Sequence, residues 1–185
     1  MALIRPQRIL DERGWFAESY NAARYAELGI DARFCQDNHV KSLAAGALRG
    51  LHFQRPPHGQ AKLVRCVRGR IWDVAVDVRS GSPTYGQWVA AELTAQNALQ
   101  IFVPIGFAHG YLTLEADTEV EYKVSDFHAP DFEGGLIWND PTLALPWPLP
   151  PGAPILSPKD RLLPRLKDFD SPFAYDGRPL APLES

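Results

Sequence analysis

Residues 72–78 read Trp72-Asp73-Val74-Ala75-Val76-Asp77-Val78. In an extended chain Trp72, Val74, Val76 and Val78 share one side, and Asp73, Ala75 and Asp77 the other. That period of two predicts a half-buried β-strand. Lys62-Leu63-Val64-Arg65-Cys66-Val67 precedes it with the same β-type composition. Arg68-Gly69-Arg70 joins the two tightly, so they read as a hairpin region ending at Ser80-Gly81-Ser82-Pro83. Further out, 87–93, 99–103, 110–114 and 119–124 read as strands at short, regular spacing. Parallel strands would need crossover helices, and the gaps leave no room for them. The middle of the chain, about 45–140, is therefore expected to form an antiparallel jelly-roll sandwich.

Composition supports this mainly all-β reading. The 185 residues include 14 Gly, 17 Pro and five Trp, a turn-rich and aromatic mixture. The best helical candidate is 21–28, with Asn21 as N-cap and Gly29 as the stop. Eleven of the 17 prolines lie from Pro141 to Pro182. Proline cannot serve in a central strand. Residues 141–185 are thus expected as an extended, Pro-rich layer packed on the core, with a short helix near Lys159–Leu163. One domain over 1–185 is predicted, carrying only a few short peripheral helices.

Charge and hydropathy exclude several function classes. Nineteen basic residues against 22 acidic leave a net charge of −3. Without a Lys/Arg run there is no electrostatic footprint for nucleic acid. No apolar run is long enough to span a membrane, and Met1–Pro6 has no signal-peptide core. Cys35 and Cys66 form neither a disulfide framework nor a zinc pattern and are expected as reduced core thiols. A cytoplasmic location follows as the expectation.

Chemistry-bearing residues cluster at Arg49–Gln54, Gln60–Lys62, Pro104–Gly110, Glu121–Lys123 and Ser157–Asp160. Pro104-Ile105-Gly106-Phe107-Ala108-His109 also occurs as the second half of the cupin metal signature. The first half needs His-x-His and then Glu, whereas His52 is followed by Phe53 and Gln54. A divalent site wants three or four N/O ligands, so no metal is expected. His52, Lys62, His109 and Tyr122 read instead as acid–base chemistry. Imidazole exchanges protons near neutral pH, and a lysine stabilises developing negative charge in a dry cavity. Such a set suits proton abstraction beside a ketone. Each residue also has a structural reading: His52 a satisfied core histidine, Lys62 an edge-strand charge, Tyr122 plain packing beside Val120 and Val124. His109 could satisfy a turn, and Asp160 could be a solvated carboxylate. For His58 and His128 the loop reading is preferred.

Arg49 and His52 are three residues apart, which strict alternation places on opposite faces. If both serve one cavity the strand must be irregular, and Gly50 is the expected position of a bulge.

At these clusters the sequence resembles the dTDP-4-dehydrorhamnose 3,5-epimerases, cupin-type enzymes of sugar-nucleotide metabolism. The resemblance begins at Asp11-Glu12-Arg13-Gly14-Trp15-Phe16-Ala17-Glu18-Ser19-Tyr20 and Gln36-Asp37-Asn38-His39. It continues through RGLHFQ (49–54), QAKLVR (60–65), DVAVDVR (73–79), SPTYGQW (82–88), GFAHG (106–110), EYK (121–123), WNDP (138–141) and LSPKD (156–160). It covers nearly the full length except roughly the last twenty residues. It implies inversion of two carbons flanking the ketone of dTDP-4-dehydro-6-deoxy-D-glucose, without metal or organic cofactor. It further implies His52 as base, Tyr122 as acid, Asp160 as the carboxylate orienting His52, and Lys62 as the enolate-stabilising cation. Arg49 and His109 would line the sugar and phosphate region. Arg13, Phe16, Glu18, Gln36, Asn38, Gln60, Glu133 and Lys159 would bind substrate. A homodimer is implied, with N-terminal residues helping to complete a neighbouring site. A single-centre epimerase would look nearly the same, and a metal-dependent cupin or a non-catalytic sugar-nucleotide binder are the readings from other classes.

Overall fold

A computed structural model describes residues 1–183. Its strands are β1 (Ala2–Ile4), β2 (Arg8–Asp11), β3 (Gly14–Ala17), β4 (Gln36–Ser42), β5 (Leu48–Gln54), β6 (Lys62–Arg68), β7 (Arg70–Asp77), β8 (Trp88–Thr94), β9 (Gln100–Val103), β10 (Phe107–Thr113), β11 (Thr118–Val124) and β12 (Glu133–Gly135). Two five-stranded antiparallel sheets form the body, ordered β1-β9-β6-β11-β4 and β12-β5-β10-β7-β8. β2 and β3 form a separate hairpin. The antiparallel jelly-roll architecture is as the strand spacing implied. The one α-helix among the described residues, α1 (Ala22–Glu27), starts where Asn21 Oδ1 accepts the Ala23 and Arg24 N–H groups at 3.0 and 3.3 Å. A short 3₁₀ turn covers Asp160–Leu162, inside the predicted Lys159–Leu163 segment.

Four expectations are corrected. β6 and β7 are not a hairpin: Gly69, at φ +76°, carries the chain from one sheet to the other. Its hydrogen faces Thr118, whose Oγ1 would lie 2.4 Å from any added Cβ. Alternation identifies a strand but not its partner, so a glycine turn fits an arch between sheets as well as a hairpin.

Second, the 72–78 strand is not half-buried. Trp72, Val74, Val76 and Val78 pack outward beneath Leu143, Trp147, Leu166 and Phe173 of the Pro-rich extension. Trp72 and Trp147 meet edge-to-face at 4.9 Å. Asp73, Ala75 and Asp77 turn inward, and all three are fully buried.

Third, the sandwich does not begin near residue 45. β1 and β4 supply both edges of the first sheet. β4 has no sequence signature, because Gln36-Asp37-Asn38-His39-Val40-Lys41-Ser42 has too few apolar residues to show an alternating face. Fourth, Cys35 is exposed rather than in the core; Cys66 is buried, and both are free thiols.

The irregularity expected at Gly50 is present. Pairing between β10 and β5 steps from His109↔His52 to Tyr111↔Arg49. Two residues of β5 therefore oppose one of β10, which brings Arg49 and His52 to the same side. Gly50 has φ +132°, and an added Cβ would lie 2.5 Å from Gly110 Cα and 2.9 Å from the His109 carbonyl. Backbone meets backbone here, so no side chain can yield. Gly50→Ala is expected to lower unfolding stability by about 2–4 kcal/mol, read as a lower urea midpoint at unchanged m-value.

Candidate active site

His52 projects from β5 of the second sheet, and its Nε2 lies 2.7 Å from Asp160 Oδ1. Asp160 opens the 3₁₀ turn in the Pro-rich extension and is buried. Burial pushes its pKa up. The hydrogen bond and charge of His52, with further hydrogen bonds from Ser157 and the Gly50 N–H, outweigh that and hold it below the usual carboxylate range. A carboxylate so placed accepts the Nε2 proton and leaves the ring's other nitrogen free to take one.

Lys62 starts β6 of the first sheet and is buried. Its Nζ donates to the His52 carbonyl at 3.3 Å. Burial lowers its pKa from 10.5 to about 8, against the opposing charges of Asp73 and Glu133. His109, on β10, holds Asp73 with Nε2 at 2.9 and 3.0 Å from the two carboxylate oxygens. Burial raises the Asp73 pKa, with His109 and Lys62 opposing. Asp73 buttresses the cavity through His109, and the strand pattern disguised it: the polar side of an alternating strand looks solvent-facing. The available signal was an aspartate in a strand too apolar to be solvated.

Tyr122 faces these groups from β11 of the first sheet. Burial raises its pKa, and the nearby Arg49 charge opposes the rise. His52, Lys62 and Tyr122 together line a cavity of about 730 Å³, its open mouth included, shared with Arg49, His109 and Asp160. Lys159 lies at its rim.

The same three residues line an adjoining hollow of about 690 Å³ with Gln36, Asn38, Gln60 and Glu133. Gln36 Nε2 donates to Asn38 Oδ1 at 2.9 Å, and Gln60 Nε2 to the Asp126 carbonyl at 2.8 Å. Glu133 is paired to both Lys159 and His128. His128, a loop residue, is therefore also part of the rim. Its loop position concealed it, because nothing local ties residue 128 to Glu133 and Lys159. His58 fits its structural reading, 3.1 Å from Asp126 Oδ2 and edge-on to Phe132.

Three expected binding residues stay outside the cavity of this chain. Arg13 and Phe16 lie on the exposed β2–β3 hairpin, where Arg13 pairs with Asp11 at 2.5 Å. Glu18 follows it and lies 3.8 Å from Arg24. A further hollow of about 610 Å³ lies against the first sheet and shares Tyr122 and Asn38 with the cavities above. Its charges are mutually paired, Arg65 to Glu121 at 2.5 Å and Lys123 to Asp37 at 2.8 Å. His39, also in its lining, lies 3.0 Å from Glu119 Oε2, so among the described residues no base there is unengaged. Among the described residues, no three of His, Cys, Asp and Glu gather as a metal-holding set, and no helix is long and apolar enough to cross a membrane.

Residues 1–168 match the profile of the dTDP-4-dehydrorhamnose 3,5-epimerases. An enzyme of that name from Pseudomonas aeruginosa is 50% identical over 160 residues, 86% of this chain and 87% of that protein. The chain belongs to the dTDP-4-dehydrorhamnose 3,5-epimerase family. It is therefore an epimerase. Solved structures agree. The Bacillus anthracis dTDP-4-dehydrorhamnose 3,5-epimerase, with TDP and pyrophosphate bound, is 48% identical with a TM-score of 0.85, over 88% of this chain and 92% of that one. The Legionella pneumophila dTDP-6-deoxy-D-glucose-3,5-epimerase, in complex with dTDP-4-keto-L-rhamnose, is 44% identical with a TM-score of 0.90, over 95% and 93%.

In this epimerase the Asp73 carboxylate supports the buried Lys62 ammonium. Asp73→Asn removes that support, so Lys62 should titrate below its native value of about 8. NMR titration of the lysine side-chain carbons measures it, and a Lys62 midpoint that stays put or rises would contradict the coupling.

Proposed function

We propose that the chain inverts carbons 3 and 5 of dTDP-4-dehydro-6-deoxy-D-glucose, giving dTDP-4-dehydro-L-rhamnose, with His52 as base and Tyr122 as acid. One observation carries this reading: an imidazole from one sheet and a phenol from the facing sheet line a single cavity. A hexose held between the two walls meets a base on one side and an acid on the other.

The ketone at carbon 4 acidifies both neighbouring C–H bonds. His52 takes the proton, the electron pair moves onto the ketone oxygen, and an enolate forms. Lys62 offsets its charge. Tyr122 then delivers a proton to the opposite side of the carbon, and the carbonyl re-forms. His52 has gained a proton and Tyr122 has lost one, so both reset by exchange with water at the cavity mouth. Burial holds Tyr122 protonated until that step, and the Arg49 charge eases formation of the phenolate. Each positioned proton-transfer group contributes roughly a hundred- to ten-thousandfold in rate. The electron pair moves within the substrate, so the chemistry calls for no organic cofactor or metal. Gln36, Asn38, Gln60 and Glu133 in the adjoining hollow, with Lys159 at the rim of the first cavity, would hold the nucleoside diphosphate, whose binding energy orients the ring.

The β2–β3 hairpin supports a homodimer. Leu10 and Phe16 are 78% and 67% exposed on a two-stranded ribbon that also bares Ile9 and Trp15. Such a ribbon is marginal alone and calls for a covering surface. A second copy covered by it would receive Arg13, Phe16 and Glu18 at its own cavity, which accounts for their distance from the site here. A cytoplasmic location suits the two free thiols, one of them exposed.

His52→Asn should abolish turnover while dTDP still binds, checked by product formation and calorimetry; retained turnover would remove His52 as base. In deuterated water the product should carry deuterium at both carbons 3 and 5. Label at one carbon alone would make the chain a single-centre epimerase. Above pH 8 the Lys62 ammonium loses its proton and the enolate its counter-charge. The pH profile of kcat/KM should therefore fall on its alkaline side with a midpoint near 8, and a flat profile from pH 7 to 10 would argue against Lys62. Sedimentation equilibrium should give twice the chain mass, shifted toward the single-chain mass by Leu10→Ser with Phe16→Ser.

A further inference from the structure

His109 and Tyr111 alternate onto the same face of β10, toward the other sheet. Tyr111 stands opposite Asp73 on β7 and opposite Arg49 on β5. Its ring tilts toward the His109 imidazole, centroids 6.4 Å apart. It lines the cavity with Arg49, His52, Lys62 and Tyr122. The residue is only 4% exposed. Its hydroxyl oxygen is closed off from solvent and has no hydrogen-bond partner among the described residues.

That is unusual for a buried phenol, which ordinarily finds a partner. Tyr25 shows the ordinary case in the same chain: its hydroxyl lies 3.1 Å from the Ser19 carbonyl and 3.0 Å from Gln100 Oε1. The fold can satisfy a buried tyrosine, and at the cavity wall it leaves one unsatisfied. A phenylalanine would fill the same space without that penalty, so the oxygen asks for a role of its own.

We infer that Tyr111 is a further substrate-contacting residue of this epimerase, its ring turning slightly so that the hydroxyl gains a hydrogen bond when an oxygen of the sugar ring enters between Arg49, His52 and Tyr122. The inference rests on the cavity being the sugar site, as proposed above. The contact is made by the sugar and not by the nucleotide, so it separates a sugar nucleotide from the bare diphosphate. A site polar group left unpaired without its ligand oxygen is a strong source of discrimination.

Tyr111→Phe keeps the shape and removes only the oxygen. Its thermal midpoint should equal or exceed that of the native chain, because an unsatisfied buried group is lost. Calorimetry should show affinity for dTDP-glucose reduced about five- to tenfold and affinity for dTDP unchanged. For the 4-keto sugar nucleotide, kcat/KM should fall by a similar factor. A lowered midpoint would mean that the hydroxyl is already engaged in the free protein, and would overturn the inference. Unchanged dTDP-glucose affinity, or an equal loss for dTDP, would also overturn it. The calorimetric comparison reads the contact whether or not turnover is seen. Native chain in the activity assay tests the epimerase reading separately, since only that reading fails if the native chain leaves the substrate unchanged.

Discussion

A sheet that turns charged groups inward, toward a cavity, must bury its other face to remain stable. The second sheet of this protein meets that constraint with the Pro-rich extension. Leu143, Trp147, Leu166 and Phe173 cover Val74, Val76 and Val78 from outside, so the inner face is free to carry Asp73, Asp77 and His109. The cover also enters the site. It supplies Asp160, whose carboxylate holds the His52 ring. A proline-dense segment suits both tasks: it lacks the N–H groups that would compete for a sheet edge, and its preset φ angles make an extended layer entropically cheap.

The electrostatics follow from the same burial. Two imidazoles reach the cavity and each is backed by a buried carboxylate, Asp160 for His52 and Asp73 for His109. Asp73 also lies close enough to Lys62 to raise its pKa, against a larger downward push from burial. The result is an ammonium that titrates near 8, poised between a fixed charge and a proton donor. Lys62 leads one sheet while His52 and Asp73 belong to the other, so this balance exists only when the two sheets are stacked.

The Gly50–Gly110 contact sets the geometry that stacking alone would not. Two backbones touch where a Cβ on either strand would intrude. The bulge turns Arg49 and His52 toward one space, and the phenol of Tyr122 faces them from across the sandwich.

Much of the fold was legible locally. Alternation located β7 and β11, the Asn21 cap and Gly29 stop bounded α1, and the three-residue spacing of Arg49 and His52 demanded an irregular strand at Gly50. β4 was not legible, because a strand whose residues are polar on both faces has no hydrophobic period to read. Asp73 was not legible for the converse reason: solvent and a buried cavity both select a polar side chain, and a one-dimensional pattern cannot tell them apart. The sequence by itself determined the strand-rich antiparallel class, the family, and the residue types able to move protons beside a ketone. Tertiary structure decided that β6 and β7 part into different sheets, that Asp160 meets His52, and that the arm bearing Arg13 and Phe16 lies outside this chain's own cavity. These are encounters between distant segments, governed by burial and stacking rather than by the preferences of neighbouring residues.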